Sequence, residues 1–202
     1  CKEVPPWMPR FGRYKVRRFI ELMLGGGYRA DMDTTRRTPF AALTALGAAI
    51  ALSACSSGGV TPDQAQTSVT QAVAAIQLAE SKTSGVAFAI DAEGSGGWDI
   101  DVVANDEVFE VRVNLEGTSV TSTRADGRID VDDRMRLEAA KVTLADAVKT
   151  ASGEVVGTLA EAELDRFLTA PVVWSVTIED GSGDVDVSVD VATGKVVNVE
   201  RD

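Results

Sequence analysis

The chain has 202 residues, 31 acidic and 20 basic side chains, a formal net charge of −11, two cysteines and no histidine. The charge divides at Cys55: residues 1–54 carry 9 basic and 4 acidic groups (net +5), and residues 55–202 carry 11 and 27 (net −16). So acidic a main body is repelled by phosphate backbones, which excludes nucleic acid as a partner, while the missing histidine removes the usual general base and the commonest metal ligand.

Residues 1–31 read as a mis-assigned leader. Cys1 cannot initiate translation, Met32 stands just before the basic pair Arg36 and Arg37, and Gly25-Gly26-Gly27 has the composition of a translated ribosome-binding site. The other reading is a genuine basic arm with Arg10, Arg13, Lys15, Arg17 and Arg18, suited to an anionic surface. Residues 32–54 have the three parts of a secretory signal peptide: Arg36-Arg37, the apolar run Phe40 to Leu52, and small residues before a cut. That run is shorter than the roughly 20 residues needed to span a hydrocarbon core. Leu52-Ser53-Ala54-Cys55 closes it as a lipobox, the cleavage and lipidation signal of bacterial lipoproteins. The bland alternative, a buried Ala-rich helix, fits poorly with Ser56-Ser57-Gly58-Gly59 directly after it. Lipidation of Cys55 by acyl chains such as palmitate leaves no free thiol and no disulfide, so stability must come from packing.

Residues 55–66 read as a lipidated flexible tether. Beyond it, Val69, Val73 and Ile76 recur at helical intervals, with Gly85 as a stop. Alternating strands follow at Val86–Ala92, Trp98–Ala104, Val108–Leu115 and Ser119–Arg124, joined by turns at Gly94–Gly97 and Asn105–Glu107. Residues 127–140 read as a linker, with a turn-like acidic stretch at Asp130–Asp133 and an extended lead-in at Met135–Ala140.

The pattern then returns. At a shift of 76, Trp98 falls on Trp174, Val102 on Ile178, Phe109 on Val185 and Val120 on Val196; at 75, Val69, Ala72 and Val73 fall on Leu144, Ala147 and Val148. A one-residue indel between helix and sheet accounts for the change. The second helix has Thr143 as a cap and Gly153 as a stop, and its strands are predicted at Val155–Leu164, Val172–Glu179, Asp184–Val191 and Lys195–Glu200. Gly194 supplies the positive φ its turn demands. The fold class expected is α+β: two tandem repeats, residues 67–126 and 141–202, each a helix packed on an antiparallel sheet of three to four strands.

Two stretches carry a family resemblance. Thr143-Leu144-Ala145-Asp146-Ala147-Val148 resembles the opening helix of PepSY domains, and Asp190-Val191-Ala192-Thr193-Gly194-Lys195-Val196 resembles their closing hairpin. The first repeat has Glu116-Gly117-Thr118 in place of Ala-Thr-Gly and is similar only in outline. The resemblance implies an extracytoplasmic module that binds or regulates a peptidase or other envelope enzyme. It implies no catalytic residue and no cofactor.

Trp98 and Trp174 share parity with core positions and are expected inside. Asp184, Asp186 and Asp190 on one strand face, with Asp99 and Asp101, are the candidates for calcium, yet a strand spaces such carboxylates about 7 Å apart. A solvated, edge-guarding face is the plainer reading. No histidine triad and no Gly-x-Ser-x-Gly elbow points to an enzyme. The expected protein is a non-enzymatic binding module, lipid-anchored on the extracytoplasmic face of a bacterial membrane, with a protein partner. The rival is an acidic, calcium-responsive envelope protein.

Overall fold

The computed structural model describes residues 60–94, 96–166 and 171–201. The leader, the signal peptide, Leu52, Ser53, Ala54 and Cys55 lie outside the described residues.

Helix α1, Pro62–Thr83, starts inside the stretch read as tether. Its first turn is a capping box: Gln64 N–H donates to Thr61 Oγ1 (3.3 Å), Thr61 N–H donates to Gln64 Oε1 (2.9 Å), and Pro62 occupies N1. The polar run that looked like a linker is the chemistry of a helix start. Ala65, Val69, Ala72, Ala75, Ile76 and Ala79 form the buried stripe. Ser84, at φ 55, closes the helix in the left-handed region.

Strands β1 (Val86–Glu93), β2 (Gly97–Ala104), β3 (Glu107–Asn114) and β4 (Val120–Arg128) follow as a meander. A second helix, α2 (Val131–Ala139), occupies most of the expected linker. Asp130 Oδ1 accepts from Asp133 N–H at 2.9 Å, Arg136 pairs with Asp133 one turn on (2.7 Å), and the acidic first turn suits the helix dipole. The acidic run that read as a turn is therefore an N-terminus. Helix α3 (Leu144–Glu154) is capped by Thr143 and buries Leu144, Ala145, Ala147, Val148 and Ala151; Gly153 lies within its last turn and does not stop it. Strands β5 (Thr158–Arg166), β6 (Val172–Glu179), β7 (Asp184–Asp190) and β8 (Val196–Arg201) complete the chain.

All eight strands form one antiparallel sheet in the order β4-β3-β2-β1-β5-β6-β7-β8, rather than two small ones. The joint is β1 against β5, with Ala89 opposite Glu163, Ile90 opposite Ala162 and Asp91 opposite Glu161. This pairing removes two open edges. It also brings α1, over β1, β2, β3 and β5, against α3, over β1, β5, β6 and β7. Alanines at 72, 75, 79, 147 and 151, all fully buried, keep both helices close to each other and to the sheet. Trp98 and Trp174 sit in this layer at 2% and 1% exposure, as their parity predicts.

Extra residues fall at matching places. Phe88 bulges from β1 and Ala160 from β5; Thr121 bulges from β4 and Val197 from β8. Thr121 and Val197 lie 76 apart, like the tryptophans, but Phe88 and Ala160 lie 72 apart. The single one-residue indel expected from the sequence is thus too simple: β5 also starts earlier relative to its helix.

Two glycines precede the central strands. A Cβ at Gly85 would lie 2.4 Å from Val103 O and 2.7 Å from Val102 Cγ1; at Gly157 it would lie 2.4 Å from Glu179 O and 2.5 Å from Ile178 Cγ2. Only a residue without a side chain fits where helix gives way to strand. The N-terminal half of α1 is fixed at one end of the sheet, because Leu159 N–H donates to Ser68 Oγ (3.1 Å) and Gly117 abuts Gln71 O. Turns 94–97, 115–119 and 180–183 share that end; turns 105–106 and 191–195 lie at the other. Among the described residues no helix is long and apolar enough to cross a membrane.

Candidate functional site

The residues with the most recognisable spacing, Thr143, Trp174, Asp190, Thr193 and Gly194, meet at one corner. Lys141 and Val142 N–H both donate to Val191 O (2.9 and 3.0 Å), tying the β7–β8 turn to the chain entering α3. Trp174 Nε1–H donates to Val142 O at 3.0 Å, so the buried indole closes the same junction. Thr143 Oγ1 accepts from Asp146 N–H (3.2 Å) and starts the helix. Across the turn, Asp190 Oδ1 accepts from Thr193 N–H (2.8 Å) and Oγ1–H (2.6 Å), and Gly194, at φ 70, donates to Asp190 O (2.9 Å). The Thr193 hydroxyl and neighbouring amides hold the Asp190 carboxyl below the usual aspartate range. Every polar group of this motif is engaged in holding the turn and the helix start. The corner is scaffold.

The other half has its own version, which the sequence pattern did not disclose. Asn114 stands 76 before Asp190; its Oδ1 accepts from Thr118 and Ser119 N–H (2.9 and 2.8 Å), and Gly117 takes φ 72. Trp98 Nε1–H donates to Leu115 O (2.9 Å). The signal was the shared offset, since Asn replaces Asp without changing the acceptor.

The sheet face opposite α1 and α3 is acidic. Alternation places Asp91, Asp99, Asp101, Glu110, Glu161, Glu163, Asp165, Asp184, Asp186 and Asp190 there, with Arg112 and Arg124. Arg112 grips Asp99 with both ends of its fork, Nε to Oδ1 at 2.9 Å and Nη2 to Oδ2 at 3.0 Å. Burial, and a hydrogen bond with Glu93, nevertheless raise the Asp99 pKa, and Arg112 only partly offsets them. Arg124 binds Glu110 at 2.5 Å.

Of the calcium candidates, Asp186 Oδ1 accepts from Thr177 Oγ1–H (2.6 Å) and Asp190 is engaged as above. Asp184 lies at the head of β7, six residues from Asp190. Among the described residues no three acidic, cysteine or histidine side chains are grouped so as to hold a metal ion. At the β6–β7 turn, Ser182 and Arg201 bind Asp180 and depress its pKa strongly. These arrangements order turns and strands, and among the described residues none pairs a nucleophile with a base.

Comparison with known proteins agrees with the corner. The family model PepSY, described as peptidase propeptide and YPEB domain, matches residues 141–200, which hold α3 and β5–β8. No curated protein matches the chain. A solved structure of a lipoprotein candidate from Clostridium difficile 630 is similar at 19% identity and TM-score 0.41, covering 63% of this chain and 90% of that one. The YpmB protein from Bacillus subtilis is similar at 17% identity and TM-score 0.30, covering 63% and 95%.

Proposed function

We propose that this chain is a lipid-anchored, extracytoplasmic binding module without chemistry of its own, which engages and regulates a peptidase or another envelope enzyme. The observation that carries the reading is the PepSY domain at residues 141–200, whose signature residues are all committed to the scaffold. A domain whose recognisable residues build a corner acts through its surfaces. Anchoring rests on the lipobox at Leu52–Cys55, and the partner class on the resemblance and on the acidic body, which favours cationic surfaces.

We further propose that residues 67–126 and 141–202 are two copies of one unit fused edge to edge. Supporting this are the two tryptophans, the paired bulges, the two glycines packed against matching carbonyls, and the β1–β5 register. Ile90 and Ala162, which correspond to each other at the offset of 72, lie opposite, so the two halves meet about a local two-fold axis.

Affinity capture from detergent-solubilised membranes of the native cell tests the binding function. Recovery of an envelope enzyme, with a change in its rate when the purified module is added, is the expected result. Repeated recovery of no protein partner at low salt would contradict it.

A further inference from the structure

The fold fixes which end of the domain can approach a membrane. Resting on the lipid anchor proposed above, we infer that the end of the sheet carrying turns 94–97, 115–119 and 180–183 faces the lipid headgroups, while turns 105–106 and 191–195 point away. Six peptide steps separate Cys55 from Thr61 and span at most about 20 Å. The capping box and Pro62 set the start of α1 at that point, so the helix does not lengthen into the tether. Ser68, less than two turns on, is already bound to Leu159 at the head of β5, beside the β6–β7 turn. The short tether therefore leads directly to this end of the sheet. An eight-residue strand rises about 26 Å, which places the opposite turns a full sheet height further from the anchor point.

Charge sets the posture. Asp63, Glu116, Glu179 and Asp180 lie at the near end, and the sheet's carboxylate face would meet the bilayer if the domain lay flat. Anionic headgroups repel both. Attachment is then by acyl chains alone, and salt does not release the protein. The far end, with the β7–β8 turn and α2, is left for a protein partner.

The test uses lipid-anchored protein, extracted from membranes and reconstituted into phosphatidylethanolamine–phosphatidylglycerol vesicles with a headgroup quencher. With Cys55 acylated, an introduced cysteine is the only thiol downstream of the cleavage site, so dyes can be placed singly. Ser119→Cys and Val156→Cys mark the near end; Glu107→Cys and Lys195→Cys mark the far end, all at exposed positions. Several-fold stronger quenching at both near positions is expected, and an insertion of about 20 Gly/Ser residues after Gly59 should abolish the difference. Equal quenching at both ends, in protein whose mass proves the lipid, would overturn the orientation. Bare Cys55 in protein that does not bind vesicles would overturn the anchor instead, and the two failures are thus separable.

Discussion

At the scale of single residues, the carboxylates fall into two classes with opposite pH behaviour. Asp99 has its pKa raised mainly by burial, so the folded state favours its protonated form. Its contribution to stability is largest below the ordinary aspartate pKa, about 3.9, and is lost as pH rises through the raised value. Asp99→Asn should therefore gain stability relative to the parent as pH goes from about 4 to 7. Urea midpoints at both pH values measure this; a difference independent of pH would refute it. Asp190 behaves in reverse. Its depressed pKa stabilises the fold above the ordinary aspartate value, and that help disappears as pH falls through the folded one. Asp190→Asn keeps the acceptor, as Asn114 does in the other half, and should cost less than Asp190→Ala. Thermal melts between pH 3 and 7 should also show a shallower acid limb for Asp190→Asn; equal melting of the two variants would speak against the turn's reliance on that oxygen.

At the scale of elements, the strands were largely legible because alternation reports which face is buried. Val172–Glu179 occupies the expected span, and both tryptophans lie inside. The helix starts were not legible. Thr61-Pro62-Asp63-Gln64 and Asp130-Val131-Asp132-Asp133 are polar enough to pass for loops, and only their amide bonding distinguishes a cap from a tether. The two junction glycines were hidden for a related reason. Gly85 read as a helix stop, yet its requirement is the Val103 carbonyl against it, a contact visible only once the sheet forms. Gly85→Ala and Gly157→Ala should each cost about 1–3 kcal/mol, the usual range for overpacking. Gly153 has open space around it within α3, and Gly153→Ala should instead gain up to about 1 kcal/mol from helix propensity. Chemical denaturation of the three variants checks the order, and equal effects would contradict the packing described.

At the scale of the molecule, the two halves share one sheet and one helix layer. Each half alone is of a size at which a single core is marginal. Pairing of β1 with β5 and contact of α1 with α3 make them interdependent, so calorimetry should show one cooperative transition; two resolved transitions would mean that the halves fold independently. This union could not be read from the sequence, since the β1–β5 contact involves only three residue pairs with no distinctive composition. The candidate site was legible only as scaffold. The spacing of Thr143, Asp190 and Gly194 identified the corner, but the acidic face was readable as charge without a ligand. The central claim of a tethered module acting outside the cytoplasm stands or falls with Cys55. Intact-mass and peptide mass spectrometry of the protein extracted from membranes measures that directly. The expected result is a polypeptide beginning at Cys55 with acyl chains on it. A chain retaining residues before Cys55, with its thiol unmodified and recovered from the cytosol, would contradict it.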